Sequence, residues 1–107
     1  MIIFPMPIDS PIVQWPSVEH PAYDFACYTG EPIYAVHDGY MQSNYSRTHG
    51  NQAVMQYNGY TTTYSHMEHV FPAGWYETGE QIGTCGNTGA WSYGPHLHFE
   101  STYTYRF

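Results

Sequence analysis

Glycine or proline recurs every few residues along this chain, and a helix of any length is hard to place. The 107 residues include ten glycines and eight prolines. Both destabilise helix interiors, glycine through backbone freedom and proline through its missing N–H. The intervening segments are rich in aromatic and β-branched residues, which favour strands. We therefore expect an all-β chain with little or no helix. A length of 107 residues suits one domain, so residues 1–107 are predicted to form a single compact antiparallel β-sheet domain.

Two turn signals divide the predicted strands. Asn58-Gly59 separates QAVMQY from YTTTYSH, and both of its residues tolerate the positive φ of a type I′ turn, so the flanking strands should pair antiparallel. Asp38-Gly39 predicts a second turn. The period-2 alternation of half-buried strands places strands at residues 23–27, 33–36, 40–45, 52–57, 61–66, 81–85 and 96–101.

Charge excludes two classes of partner. The formal net charge is −7, the chain has no lysine, and its only cationic residues besides histidine are Arg47 and Arg106. Nucleic acid binding needs clustered cations to neutralise phosphates, so no nucleic acid partner is expected. No apolar run approaches the ~20 residues that span a bilayer, so no membrane insertion is expected either.

Cys27 and Cys85 are too far apart in sequence for a CxxC motif, and sequence leaves open whether they form a disulfide.

Two short motifs supply candidate metal ligands. In His96-Leu97-His98, alternation along a strand projects both imidazoles to one face and Leu97 to the other. In HPAYD, the i, i+4 spacing places His20 and Asp24 on one face of an extended segment. Imidazole and carboxylate are suitable zinc ligands, and catalytic zinc sites commonly take three protein ligands and leave a fourth position to water. Separately, each of these residues has an ordinary structural explanation.

Taken together and in order, HPAYD, TTYSHM and GPHLHFE resemble the lysostaphin-type (LytM-type) zinc metallopeptidases, which hydrolyse peptide cross-links of bacterial peptidoglycan. DFACYTGEPIYAVHDGYM and ETGEQIGTCGNTGAWSYGPHLHFE are also similar to segments of that family, so the resemblance covers about residues 10–101. It implies the family's antiparallel fold, of the duplicated hybrid motif type.

The resemblance also implies roles for individual residues. His20, Asp24 and His98 would bind one zinc ion (Zn²⁺). His96 would be the general base that takes a proton from the attacking water, and His66 the donor that stabilises the oxyanion. This division of roles is compatible with general chemistry, because zinc acidifies a bound water molecule and a neutral imidazole can accept a proton from that water. His37, His49 and His69 are interpreted as loop or surface histidines.

Four aromatic residues lie beside these motifs, namely Tyr23, Tyr64, Trp91 and Tyr93. They are candidates for lining the substrate groove, with packing in the core or at its rim as the alternative. Two other functions stay open. One is a non-catalytic LytM-like domain that binds or activates a partner or forms part of a virion. The other is a cupin-like metal oxygenase, suggested only by HxH followed by Glu100.

The expected site of action is the cell wall, on the extracellular or periplasmic side. The N-terminal segment MIIFPMPIDSP has no basic residue and is interrupted by Pro5 and Pro7, so it is not expected to act as a secretory signal. Transport on a virion or release by lysis would bring such an enzyme to the wall. A bacteriophage lysin or a tail-tip hydrolase that contacts other virion proteins is therefore one predicted setting.

Overall fold

Residues 5–19 and 22–102 are described by the computed structural model of the chain. Within these ranges there is no helix, and nine β-strands follow one another in sequence, as the composition predicts. They are β1 (Ile12–Gln14), β2 (Tyr23–Ala26), β3 (Pro32–Tyr34), β4 (Gly39–Ser46), β5 (Gly50–Tyr57), β6 (Tyr60–Val70), β7 (Gly74–Tyr76), β8 (Gln81–Cys85) and β9 (His96–Ser101).

All pairings in the sheet are antiparallel, and its main path runs β1-β2-β9-β6-β5-β4-β7. Strand β8 pairs with β6 and with β3 outside this path. The final strand, β9, thus lies between β2 and β6. Because directly opposed residues in antiparallel strands share a face, this order brings three distant parts of the sequence onto one surface.

The turn at Asn58-Gly59 is confirmed. Its two residues have φ of 52° and 87°, and β5 and β6 pair on either side of it, with Tyr57 opposite Tyr60. The second turn signal has a different outcome. Strand β3 pairs with β8, whereas β4 pairs with β5 and β7, so the segment around Asp38 connects two strands that are not partners.

The core lies on one face of the central strands. On β9, Leu97 and Phe99 are buried and pack in the hydrophobic cluster, whereas His96, His98 and Glu100 alternate to the other face. Burying each large apolar side chain contributes about 1.5–3 kcal/mol. The register of β9, and with it the orientation of both histidines, is therefore fixed by its apolar residues.

A disulfide joins Cys27 and Cys85, which answers the question that the sequence leaves open. It connects the end of β2 to the end of β8 across a sequence separation of 58 residues. Constraining so long a loop in the unfolded chain stabilises the fold by roughly 4 kcal/mol on the chain-entropy estimate.

Two of the observed strands were not predicted from the sequence. Ile12–Gln14 and Gly74–Tyr76 contain three residues each and lie at the two ends of the main path. Three residues are too few for alternation to be recognised. The described ranges contain no helix long and apolar enough to cross a membrane.

Candidate active site

The register of β2 against β9 brings two predicted ligands together. Asp24 is directly opposite His98, and the Asp24 carboxylate oxygen Oδ1 lies 3.2 Å from Nδ1 of His98. Both side chains are largely buried, with 15% and 11% of their surfaces exposed. His20, the third predicted ligand, lies outside the described residues.

Glu100 holds the other nitrogen of His98. Its Oε1 lies 2.6 Å from His98 Nε2, so with an ionised carboxylate the Nε2–H donates and Nδ1 faces Asp24. Burial lowers the pKa of His98, but hydrogen bonds to Asp24 and Glu100 outweigh this effect and raise the pKa above its usual value. A carboxylate on the far nitrogen is the usual means of orienting a metal-binding histidine. Glu100 was predicted only as part of the cupin alternative, although its i, i+2 spacing from His98 on a strand places both side chains on one face.

The distance between Asp24 and His98 fits zinc. In a tetrahedral site, zinc lies ~2.0–2.1 Å from nitrogen and oxygen ligands, which separates two ligand atoms by roughly 3.3–3.4 Å. The observed 3.2 Å matches one edge of such a tetrahedron. The pair therefore has the chemistry and spacing of a zinc-binding edge.

His66 projects from a β-bulge. Asn51 is opposite Met67 and Ala53 is opposite Tyr64, so two residues of β6, Ser65 and His66, face one residue of β5. His66 has φ of 62°, an uncommon left-handed conformation outside glycine. Its N–H donates to the carbonyl of His49 over 2.8 Å. Bulges of this kind re-aim side chains beside functional sites.

The His66 ring is held by the loop that precedes β9. Its Nδ1 lies 2.6 Å from the carbonyl oxygen of Thr88, which can only accept, so Nδ1 carries a proton. The loop approaches closely because Gly50 lacks a side chain. A Cβ there would lie 2.3 Å from the Thr88 hydroxyl, and Gly50 has φ of 69°. Burial lowers the pKa of His66 to about 4, although the Thr88 hydrogen bond opposes this shift. His66 is therefore neutral at neutral pH, with Nε2 as its acceptor.

His96 has the same arrangement. Its Nδ1 lies 2.8 Å from the carbonyl oxygen of Gly94, so this nitrogen also donates and Nε2 is the basic atom. The centroids of the His66 and His96 rings lie 4.5 Å apart. Two imidazoles with basic Nε2 atoms thus lie side by side, each held in a fixed orientation by a backbone carbonyl.

One open cavity of about 340 Å³ unites these groups, and it includes every predicted metal-binding or catalytic residue that the structure describes. Its lining residues are Glu19, Asp24, His49, His66, Trp91, His96, His98 and Glu100.

The aromatic predictions have mixed outcomes. Trp91 lines the cavity. Tyr64 does not, and its placement in the groove was wrong: it is fully buried, and its hydroxyl accepts a hydrogen bond from the Val36 N–H in the core. Tyr23 packs against the core instead. Tyr93 is 94% exposed and lies outside the cavity lining.

His49 lies in the loop between β4 and β5, as interpreted, but it also lines the cavity, which the sequence did not predict. Its ring stacks on His66 with centroids 5.6 Å apart and lies edge-on to His98 at 5.0 Å. Burial and the nearby positive charge of His98 lower its pKa. His49, His98 and Glu100 also bring ligand atoms within 4.8 Å of one another, which makes a second, looser grouping with metal-binding potential. By contrast, His69 is exposed, as expected.

An antiparallel sheet that carries four histidines and a buried carboxylate in one cavity is typical of a metal-dependent hydrolase. The sequence matches peptidase family M23 over residues 18–106. It is 36% identical over 85 residues to the peptidoglycan DD-endopeptidase ShyC of Vibrio cholerae, a match that covers 76% of this chain and 19% of that protein. The chain belongs to peptidase family M23, and the resemblance to lysostaphin-type peptidases is confirmed.

Solved structures agree with this assignment. A zinc-containing peptidase from Vibrio cholerae is 29% identical with a TM-score of 0.78, over 89% of this chain and 35% of that one. The catalytic domain of the antimicrobial peptidase lysostaphin from Staphylococcus simulans is 31% identical with a TM-score of 0.67, over 75% of this chain and 64% of that one. The chain spans about a fifth of the length of the curated relatives it matches.

Proposed function

We propose that this chain is a zinc-dependent endopeptidase that hydrolyses peptide cross-links or stem peptides of bacterial peptidoglycan. The observation that carries the proposal is the 3.2 Å contact between Asp24 Oδ1 and His98 Nδ1, in one cavity with His66 and His96. Membership of family M23 and the similarity to a peptidoglycan endopeptidase support the substrate class. Residues 1–107 would act as one catalytic domain, on the extracellular or periplasmic side where its substrate lies.

In this proposal Asp24, His98 and His20 hold a single zinc ion. Zinc, when bound, would lower the pKa of a water molecule towards ~7 and polarise the scissile carbonyl. Glu100 accepts the Nε2–H of His98, and zinc would take the place of the Nδ1 proton that His98 shares with Asp24 in the metal-free protein. His96 accepts a proton from the attacking water at Nε2 and can then return it to the leaving amine.

His66 needs a different description from the simple donor that the family resemblance implies. Its Nδ1–H is already committed to the Thr88 carbonyl, and the neutral ring offers a lone pair at Nε2. It can donate to an oxyanion only after gaining a proton there. Negative charge developing on the substrate oxygen would favour that protonation, so we propose that His66 takes up a proton from bulk water at Nε2 during the reaction, donates a hydrogen bond with it, and returns it to solvent when the oxyanion collapses.

Metal removal tests the proposed chemistry. Purified protein should clear a suspension of peptidoglycan, lose this activity after chelation, and recover it when one equivalent of zinc is added. Turbidity and the release of cleaved muropeptides, identified by mass spectrometry, provide the measurements. Tight zinc binding without cleavage of any peptidoglycan would contradict the enzymatic proposal and favour a non-catalytic binding domain.

For the biological setting, we propose a bacteriophage lysin or tail-tip hydrolase that reaches the wall by lysis or on the particle. Peptide mass spectrometry of purified virions tests the tail-tip version. Peptides from this chain at a fixed ratio to tail proteins are expected, whereas their presence in the lysate alone would exclude a particle-borne role.

A further inference from the structure

Three adjoining depressions cross one face of the sheet. The cavity with the histidines shares Glu100 with a second depression of about 280 Å³, which is lined by Thr61, Thr63, Ser101 and Thr102 in addition. The second shares Thr61 with a third depression of about 460 Å³, lined also by Tyr40, Gln56, Tyr57, Asn58, Gly59 and Tyr60. A polymer bound in the first depression therefore has a continuous path to the third.

Strand register places Tyr40 and Trp75, at the far end of this path, on the same face as His98. Tyr57 and Tyr60 alternate to the other face at the end of the β5–β6 hairpin and also line the third depression. Trp75 is opposite Tyr40, Tyr40 is opposite Gln56, and Gln56 is opposite Thr61. Thr63, two residues further along β6, is opposite Glu100. Ser65 is opposite His98 and lies four steps along β6 from Thr61. At about 3.4 Å per step, this distance along the strand is ~14 Å.

Exposed aromatic rings concentrate at this far end. Four side chains form what we call the aromatic patch: Tyr40, Tyr57, Tyr60 and Trp75, which are 50%, 47%, 40% and 55% exposed. The rings of Tyr57 and Trp75 meet edge to face with centroids 5.8 Å apart. Clustered exposed aromatics of this kind mark interaction surfaces more often than scattered apolar residues do.

The chemistry around the aromatic patch suits neutral sugar rings. The residues that line the third depression include none with a charge, and its polar side chains are the amides of Gln56 and Asn58 and the hydroxyl of Thr61, besides those of the tyrosines. A pyranose ring has an apolar C–H face, which packs on an aromatic ring, and an edge of hydroxyl and acetamido groups, which exchange hydrogen bonds with amides. Stem peptides carry carboxylates, and none of the described residues that line the third depression is cationic.

We propose that the aromatic patch binds N-acetylated sugar rings of the peptidoglycan glycan strand while a stem peptide attached to that strand lies in the histidine cavity. This inference rests on the proposed function. Tyr40 lies ~14 Å along the strand direction from the level of His98 and three strand spacings of ~4.8 Å to the side, which gives a separation of about 20 Å. About six residues of extended peptide span this distance, so a peptide of that length can bridge the two sites. The aromatic patch would thereby bind the glycan independently of the scissile peptide.

Binding to glycan strands from which all peptides have been removed tests the proposal directly. Trp75→Ala and Tyr40→Ala should each weaken co-sedimentation with these strands about tenfold, the order expected from losing one aromatic contact. Tyr45→Ala, another exposed tyrosine of β4 outside the patch, is the matched control and should bind as the unaltered chain does. Thermal unfolding verifies that all three variants fold. Unchanged glycan binding in Trp75→Ala would overturn the proposal.

Two further readouts separate this inference from its alternatives. The ratio of the cleavage rate on intact wall to that on a sugar-free cross-linked peptide should fall about tenfold in Trp75→Ala. An equal loss on both substrates would overturn glycan binding and indicate a peptide subsite, and a dimer abolished by Trp75→Ala in sedimentation would assign the patch to a second copy. Glycan binding without any cleavage would refute the proposed enzyme and support the patch.

Discussion

Replacing either Asp24 or His98 with alanine is expected to remove the zinc ion and to lower the cleavage rate on peptidoglycan by about 10³-fold or more. These side chains form the 3.2 Å edge at which zinc would be held, and loss of one of three protein ligands leaves too few to retain it. Loss of Lewis-acid stabilisation worth about 4 kcal/mol corresponds to this factor. Zinc content by mass spectrometry and initial cleavage rates are the two measurements.

Matched variants decide which carboxylate and which histidines bind the metal. Glu100→Gln should still bind one zinc ion, with affinity reduced 10–100-fold, because it orients His98 without contacting the ion. His49→Ala should keep full zinc occupancy. Loss of zinc in His49→Ala together with its retention in Asp24→Ala would contradict the proposed set and favour the looser grouping of His49, His98 and Glu100. His20→Ala tests the third ligand, and thermal unfolding of each variant separates metal loss from misfolding.

The part of the site that depends on local periodicity was predictable from sequence. Alternation along β9 places His96 and His98 on one face because Leu97 and Phe99 must be buried, and this consequence needs no knowledge of the rest of the fold. The turn at Asn58-Gly59 was equally local, since its residue types alone permit the required φ angles. The pairing of Asp24 with His98 required more, because no local pattern says that β2 and β9 are neighbours. Family resemblance supplied it.

Features that depend on packing between distant segments were not predictable. His49 enters the site because the loop before β9 closes over Gly50, a contact that its own neighbours in sequence do not indicate. Tyr64 follows three threonines in a strand that was predicted from sequence. Its side chain lies on the face of that strand that packs in the core. The bulge at His66 appears only when β5 and β6 are aligned. Burial and bulges depend on how two strands pair, whereas a sequence motif lies within a single strand.

His96→Ala and His66→Ala are each expected to lower the catalytic rate by 10²–10⁴-fold, the range for loss of a proton-transfer group, while zinc stays bound. Both rings donate Nδ1–H to a backbone carbonyl and present Nε2 to the cavity, and their centroids lie 4.5 Å apart. Neither is assigned as a ligand, so metal content should match the unaltered protein. His69→Ala, which removes an exposed histidine of the same strand as His66, is the control and should retain full activity.

The double variant shows whether the two histidines act in one step. Suppose that His96 takes the proton of the attacking water while His66 takes up a proton from bulk water as charge develops on the substrate oxygen. Removing both histidines should then lower the rate little more than removing the more important one, because the effects of groups that act as a unit are strongly non-additive. Multiplication of the two single effects would mean that they act independently. Near-full activity of His96→Ala with zinc bound would refute its role as base and leave His66, whose neutral Nε2 is already an acceptor, as the residue that takes the proton.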